Sequence, residues 1–294
     1  MLQDNMPNFF IVGAAKAGTS SLYHYLKQHH QVFLTSEKEP HFFDNNMLYQ
    51  KGLDYYLNTH FNGADSYIAR GEATPAYLRL YNTVVPRMDN VFQEKKPKIL
   101  IVLRDPVKRA WSHYLHRVRN VVECETFEKA LEFEESRLKT DPRSWCGYYH
   151  DGLYSKQIEF WLDSFPKDKF HFILNDDLES KPQDVMKNVF SFLGVNTSVD
   201  VYVGEKRNVA SAAKSKWLMK FLSQPSSIKI PLKLLLPYST RRSISVYLRR
   251  KNLRPFDTVP ILNKTTEIEL RKKYDPEISR LEKIINRDLS MWRL

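Results

Sequence analysis

Residues Asn8 to Leu22 read NFFIVGAAKAGTSSL, and the order of residue types in this stretch sets the start of the fold. Asn8 to Val12 (NFFIV) is a short apolar run bounded by glycine, the pattern of a buried strand. A loop of small residues follows, Gly13-Ala14-Ala15-Lys16-Ala17-Gly18-Thr19-Ser20, and then Leu22, Tyr25, Leu26 and His29 recur at helical spacing. Small side chains let backbone N–H groups approach an anion, the helix N-terminus adds a partial positive charge, and Lys16 adds a full one. The loop reads as a phosphate cradle. The nucleoside-triphosphate loop G-x-x-x-x-G-K-[ST] has its lysine directly after the second glycine. Here Gly13 and Gly18 keep that separation, but Lys16 lies between them and Thr19 stands in the lysine position. This argues against a P-loop kinase using ATP and magnesium.

The same succession recurs downstream. Lys98 to Leu103 (KILIVL) leads into Arg104-Asp105-Pro106 and a helical stretch with Ala110, Tyr114 and Val118 on one face, Pro106 suiting its first turn. Phe170 to Leu174 leads into a loop with Asp176 and Asp177 and then a helix over Pro182 to Leu193, with Gly194 as its C-terminal cap. Tyr67 to Ala69 adds a short strand. Strands alternating with helices predict an α/β fold: a single domain over residues 1–294, with a central parallel β-sheet flanked by helices and ligands beyond the carboxyl ends of its strands.

Composition narrows the classes. In 294 residues, 42% hydrophobic and 13% aromatic side chains supply a packed core. Two cysteines, Cys124 and Cys146, with no Cys-x-x-Cys exclude a disulfide scaffold and a zinc cluster, and fit a reducing compartment. No signal peptide is legible at the N-terminus, and the most apolar later run, IKIPLKLLLP from Ile228, is about half the ~20 residues of a spanning helix. A cytoplasmic protein is expected. His113 and His116 stand one helical turn apart without a third ligand, so no metal is expected.

The net charge of +11 is regional: between Lys206 and Phe256 there are 13 Lys and Arg and no acid, while the other 32 basic residues are balanced by all 34 acidic ones. Trp217, Leu218, Phe221 and Leu222 run at helical spacing beside Lys214, Lys216 and Lys220. Residues 206–256 thus suit the flank of an acceptor channel, an acidic acceptor or a peripheral membrane contact, with Lys229, Lys233, Arg241 and Arg242 as test positions. A non-catalytic polyanion- or membrane-binding protein is the rival reading. No recognisable nucleic-acid module accompanies the charge, so nucleic acid is not an expected partner.

With these residues in view, the chain resembles the sulfotransferases that use 3′-phosphoadenosine 5′-phosphosulfate (PAPS). Gly13 to Leu22 (GAAKAGTSSL) is similar to their 5′-phosphosulfate loop, and Ile101 to Tyr114 (IVLRDPVKRAWSHY) to their 3′-phosphate motif. Ser36 to Asp44 (SEKEPHFFD) and Gly71 to Leu78 (GEATPAYL) resemble the Glu-x-His-Phe-Phe-Asp and Glu-Lys-Thr-Pro-x-Tyr segments of heparan-sulfate 3-O-sulfotransferases. Arg287-Asp288-Leu289-Ser290-Met291-Trp292 extends the likeness to the C-terminus.

The resemblance implies a P-loop-like sulfotransferase fold that moves a sulfuryl group from PAPS to a hydroxyl or amine of a sugar or small metabolite. PAP (adenosine 3′,5′-bisphosphate) is the product, and no metal is required. It casts Lys16, with the Gly13 to Ser20 loop, as the holder of the 5′-phosphosulfate, and Arg104 and Ser112 as the grip on the 3′-phosphate. Lys206, Arg207 and Asn208 fall where the family closes a basic loop over the cofactor. Glu39 is implied as the general base, with His41 as the other candidate. Asp44 either orients His41 or caps the following segment; Glu72 is either structural or touches the acceptor. The chain departs from those enzymes at Ala73, where they carry the lysine of Glu-Lys-Thr-Pro. A cation near the transferring group is thereby lost from that position.

Overall fold

The computed structural model describes residues 5–141, 143–203, 211–223, 238–256 and 260–294. Its backbone contacts divide into two compact units, one of Met1–Arg109, His150–Arg207 and Leu270–Leu294, the other of Ala110–Tyr149 and Asn208–Glu269. In chain order the elements are β1 (Phe9–Gly13), α1 (Thr19–Leu26), β2 (Val32–Leu34), α2 (Asn46–Tyr49), α3 (Leu53–His60), β3 (Ala69–Ala73), α4 (Ala76–Arg79), α5 (Tyr81–Phe92), β4 (Lys98–Leu103) and α6 (Pro106–Arg119). They continue with α7 (Phe127–Glu132), α8 (Glu134–Thr140), α9 (Tyr154–Ser164), β5 (Phe170–Leu174), α10 (Asn175–Ser180), α11 (Pro182–Leu193), β6 (Ser211–Ala213), α12 (Lys216–Ser223), α13 (Tyr238–Lys251), β7 (Leu253–Pro255) and α14 (Lys264–Ile285).

The first unit is built on a five-stranded sheet in the order β2-β3-β1-β4-β5. Every pairing is parallel. All five residues of β1 are buried, which is why this strand is a continuous apolar run rather than an alternating one. From β1 the chain moves to one side of the sheet, and from β3 it crosses to β4 on the other side. The crevice beyond the carboxyl ends of β1 and β4 is therefore the topological switch point where such sheets bind ligands.

The expected strands at Asn8 to Val12, Lys98 to Leu103 and Phe170 to Leu174 correspond to β1, β4 and β5, and Gly194 takes the left-handed conformation at the end of α11, with φ 79°. Three details differ. The strand expected at Tyr67 to Ala69 runs instead from Ala69 through Gly71 and Glu72 to Ala73, because pairing to β1 and β2 on both sides outweighs the poor strand preference of Ala-Arg-Gly-Glu-Ala. Asp176 and Asp177, expected in a loop, open α10. On α6 the buried face holds Arg109, Ala110 and His113, while Val118 is exposed.

In the second unit, β6 and β7 pair antiparallel. His113 is buried there against the rings of Trp145 and Tyr148, at 4.5 and 5.0 Å between centroids, which gives it a packing role. Glu123 accepts hydrogen bonds from Arg137 and Tyr148 at 2.6 and 2.7 Å. Trp217 stacks on Phe221 and is 75% exposed. Lys229 and Lys233 lie outside the described residues, as do the side chains of Arg241 and Arg242.

Candidate active site

The loop after β1 is tied to the sheet before it turns. The amide of Ala14 donates to the carbonyl of Val102 on β4 at 2.7 Å, and that of Ala17 returns to Ala14 at 3.2 Å. Two glycines are required here. A Cβ on Gly13 would lie 2.4 Å from Cβ of Leu78, and one on Gly18 would lie 2.7 Å from Nδ2 of Asn175. Gly18 also has φ 106° as it enters α1, a conformation that side-chain-bearing residues rarely adopt. The backbone is thus free to approach an anion, and α1 opens directly after the loop, where a helix N-terminus favours negative charge. Thr19 is buried in the first turn, while Lys16 and Ser20 are half-buried. Asn175 is a member of this site that the sequence did not single out; only the fold reveals that it packs on Gly18.

Arg104 directly follows β4 and meets the same loop. Its Nη1 donates to the carbonyl of Lys16 at 3.1 Å, and Tyr154 supports it from behind by donating to the Arg104 carbonyl at 3.0 Å. Asp105 is fully buried and accepts from the amides of Val107 and Lys108, capping α6. Arg271 of α14 donates to Asp105 at 3.3 Å and to the carbonyl of Trp292 at 2.7 Å. Arg287 and the Trp292 indole bond Asp177 and Asp176 at 2.7 and 3.1 Å. The C-terminal Arg-Asp-Leu-Ser-Met-Trp segment therefore braces the turn after β4 and the first turn of α10. Ser112 lies about two turns into α6, in the part that belongs to the second unit, and is half-buried. Lys206, Arg207 and Asn208 lie outside the described residues.

Glu39, His41 and Asp44 come together beside β3. The amides of Thr35 and Glu39 donate to the carbonyls of Gly71 and Ala73 at 3.2 and 3.1 Å, carrying the chain from β2 past the end of β3. Phe42 and Phe43 then drive inward: Phe42 stacks on Tyr56 with centroids 4.3 Å apart, and Phe43 meets Phe10 and Tyr77 edge-on at 5.9 Å each. With these anchors, Glu39 and His41 are held at φ 63° and 56°, an uncommon backbone region for such residues that concentrates at functional sites. His41 Nδ1 donates to Asp44 Oδ2 at 2.8 Å, and His41 Nε2 faces Glu39 Oε2 at 3.7 Å. Asp44 is thus bonded to His41, and Asn45 caps the next helix.

The electrostatics follow from this chain. Burial disfavours charge on Glu39 but is outweighed by the neighbouring His41 imidazolium and the Lys38 ammonium, which lower its pKa to about 2. Burial likewise disfavours imidazolium at His41, yet the hydrogen bond to Asp44 and the nearby Glu39 carboxylate raise its pKa to about 10. Lys38 Nζ donates to Glu39 Oε1 at 2.8 Å. This lysine was legible only as a neighbour in Glu37-Lys38-Glu39.

Glu72 is fully buried. Its Oε1 accepts from Tyr56 at 2.7 Å and Tyr77 at 2.9 Å, and its Oε2 accepts from Thr74 at 2.5 Å. Tyr77 in turn accepts from the amide of Phe43 at 3.2 Å. Burial raises the Glu72 pKa to about 7 against the opposing effect of these hydrogen bonds. Of the two roles open to it, the arrangement favours the structural one, a post that joins β3 to the Phe42-Phe43 anchor. Among the described residues, no three His, Cys, Asp or Glu side chains group as a metal would require. None of the described helices is long and apolar enough to cross a membrane.

The fold and the sequence have known counterparts. The crystal structure of a sulfotransferase from Alicyclobacillus acidocaldarius matches with a TM-score of 0.71 and 30% identity, over 98% of this chain and 99% of that one. A mouse sulfotransferase solved with PAP, SULT7A1, shares the fold at a TM-score of 0.51 and 16% identity, over 99% of this chain and 89% of that one. The human heparan sulfate glucosamine 3-O-sulfotransferase 3B1 is 33% identical over 190 residues, 65% of this chain and 46% of its own. The membrane-associated sulfotransferase kil1 of Dictyostelium discoideum is 25% identical over 284 residues, 69% of this chain and 59% of its own. The chain thus spans about half to three-fifths of the length of these curated relatives. The family model described as a sulfotransferase domain matches residues 6–230, more than half of the sequence and parts of both units. The chain therefore belongs to the sulfotransferase domain family.

Proposed function

We propose that this protein transfers a sulfuryl group from PAPS to a hydroxyl or amine of a carbohydrate or small-molecule acceptor, as one catalytic domain over its whole length. One observation carries the proposal. Ala73 stands in register with Ile11, two residues before the anion loop, and its carbonyl takes the amide of Glu39. The candidate base is thereby held on the same edge of the sheet as the phosphate cradle, about two strand spacings from β1.

The residues present fit PAPS: the cradle admits no Cβ at Gly13 or Gly18, and Lys16 and Arg104 supply two cations at its rim. When bound, PAPS supplies the sulfuryl group and leaves as PAP. Lys16 and the α1 N-terminus would hold the 5′-phosphosulfate, and Arg104 would hold the 3′-phosphate by charge-assisted bonds; Ser112 is assigned to the 3′-phosphate by the family likeness. Glu39 takes the acceptor proton, His41 steadies the carboxylate and Asp44 steadies His41. Lys206 to Asn208 belong to the cofactor loop in this reading. The human relative named for heparan sulfate glucosamine supports a carbohydrate acceptor.

Thermal unfolding with PAP, 5′-AMP and ATP plus Mg²⁺ tests the donor. Stabilisation by PAP above the other two is expected, about 2.7 kcal/mol at 100 times Kd. A response confined to ATP and Mg²⁺ would replace this reading with a kinase, and no response to any nucleotide would leave a binding protein.

A further inference from the structure

We propose that Lys38 is a further cation of the transfer site, paired with Glu39 while the site is free and turning to the sulfuryl oxygens when the donor is bound. The inference rests on the sulfotransferase reading above and adds a residue to it.

Glu39 has a positive partner on each oxygen: Lys38 Nζ at 2.8 Å from Oε1 and His41 Nε2 at 3.7 Å from Oε2. A carboxylate paired in this way has little affinity for an acceptor proton, because proton transfer is efficient when the base's own pKa lies near the working pH. One partner must withdraw before Glu39 can act. His41 is fixed, its Nδ1 bonded at 2.8 Å to Asp44, which is buried. Lys38 has no partner besides Glu39 among the described residues, and its four-carbon stem lets the ammonium swing. Its side chain is only 22% exposed, so the charge sits against the site rather than in bulk solvent.

The position of Ala73 points the same way. Ala73 is fully buried and carries no charge, yet it is bonded through its carbonyl to Glu39, the chain neighbour of Lys38. The end of β3 thus pins the backbone beside Lys38 while offering no cation of its own. Besides Lys38, the titratable groups that face Glu39 among the described residues are His41 and, through it, Asp44, whose charge is felt in turn by the buried Glu72.

The transfer balances. A lone pair on the acceptor forms the bond to sulfur, and the bond from sulfur to the 5′-phosphate oxygen breaks with its electrons remaining on that oxygen. The acceptor proton passes to the Glu39 carboxylate, freed as Lys38 moves to the sulfuryl oxygens.

The test compares PAPS with PAP, which lacks the sulfuryl group, by calorimetric titration of wild type, Lys38→Met and Lys38→Arg. Lys38→Met should weaken PAPS about tenfold, the scale of one charge-assisted hydrogen bond, leave PAP unchanged, and be partly rescued in Lys38→Arg. An NMR titration of the Glu39 carboxylate should move upward in Lys38→Met. Equal weakening of PAPS and PAP, or no change in either, would overturn the role of Lys38 while leaving the sulfotransferase reading intact. Wild type that binds neither ligand would overturn that reading and this one with it. If Lys38→Met fails to fold, Lys38→Gln carries the same comparison.

Discussion

Nδ1 of His41 lies 2.8 Å from Oδ2 of Asp44, and the buried carboxylate holds the imidazole with its other nitrogen turned to Glu39. The arrangement makes the folded state prefer imidazolium. With its pKa raised to about 10, His41 contributes stability that is fully present below its unfolded value of about 6.5 and is lost as pH rises through 10. Glu39, lowered to about 2, contributes stability present above its unfolded value of about 4.3 and lost as pH falls through 2. Asp44→Asn should therefore narrow its stability deficit against wild type as pH is raised from 6 to 10. Urea midpoints across that range check this, and a deficit constant with pH would show that Asp44 does not hold the His41 charge.

Glu39→Gln keeps the size of the proposed base and removes its proton affinity. Transfer to any acceptor that wild type uses should fall by about 10²- to 10⁴-fold, the usual worth of a general base, with PAP binding retained. Retained transfer would move the base role to His41.

Arg104 has two tasks that one comparison separates. Its guanidinium bonds the carbonyl of Lys16, so it can support the anion loop; as the proposed 3′-phosphate ligand it also contacts the nucleotide. Arg104→Ala should weaken PAP by about 1.5–3 kcal/mol, the worth of a hydrogen bond to a charged group. A 3′-phosphate ligand predicts that 5′-AMP, which lacks that phosphate, is spared. Equal losses in calorimetric titrations of the two nucleotides would assign Arg104 to loop support alone.

The parts of the site that were legible in the sequence are those made by consecutive residues. The cradle Gly13 to Ser20 follows from a strand, a run of small residues and a helix in that order, and β4 with Arg104 from an apolar run ending in Arg-Asp-Pro. What escaped is what the sheet brings together from distant segments. Asn175 packs on Gly18, Tyr154 supports Arg104, and Arg271 holds Asp105 across 166 positions of sequence. Ala69 to Ala73 has no strand signature of its own and becomes a strand because β1 and β2 pair with it on both sides. Lys38 has no distinguishing sequence signal, because its meaning depends on where Glu39 is pinned, and that is set by the carbonyl of Ala73.

Glu72 gives a stability signature opposite in sign to that of Glu39. Its pKa is raised by burial to about 7, so between its unfolded value of about 4.3 and pH 7 the folded state keeps a proton that the unfolded state has released. Wild-type stability from this group is fully present below pH 4.3 and declines as pH rises through 7. Glu72→Gln has no such proton to lose, and its amide oxygen can still accept from Tyr56 and Tyr77. The variant should therefore gain on wild type as pH increases from 5 to 8, by up to about 3 kcal/mol at 1.36 kcal/mol per pH unit. Denaturant midpoints at pH 5, 6.5 and 8 check this. A difference that stays flat would mean that the three hydroxyls keep Glu72 ionised throughout, in which case the cluster of Tyr56, Thr74 and Tyr77 overcomes burial rather than merely softening it.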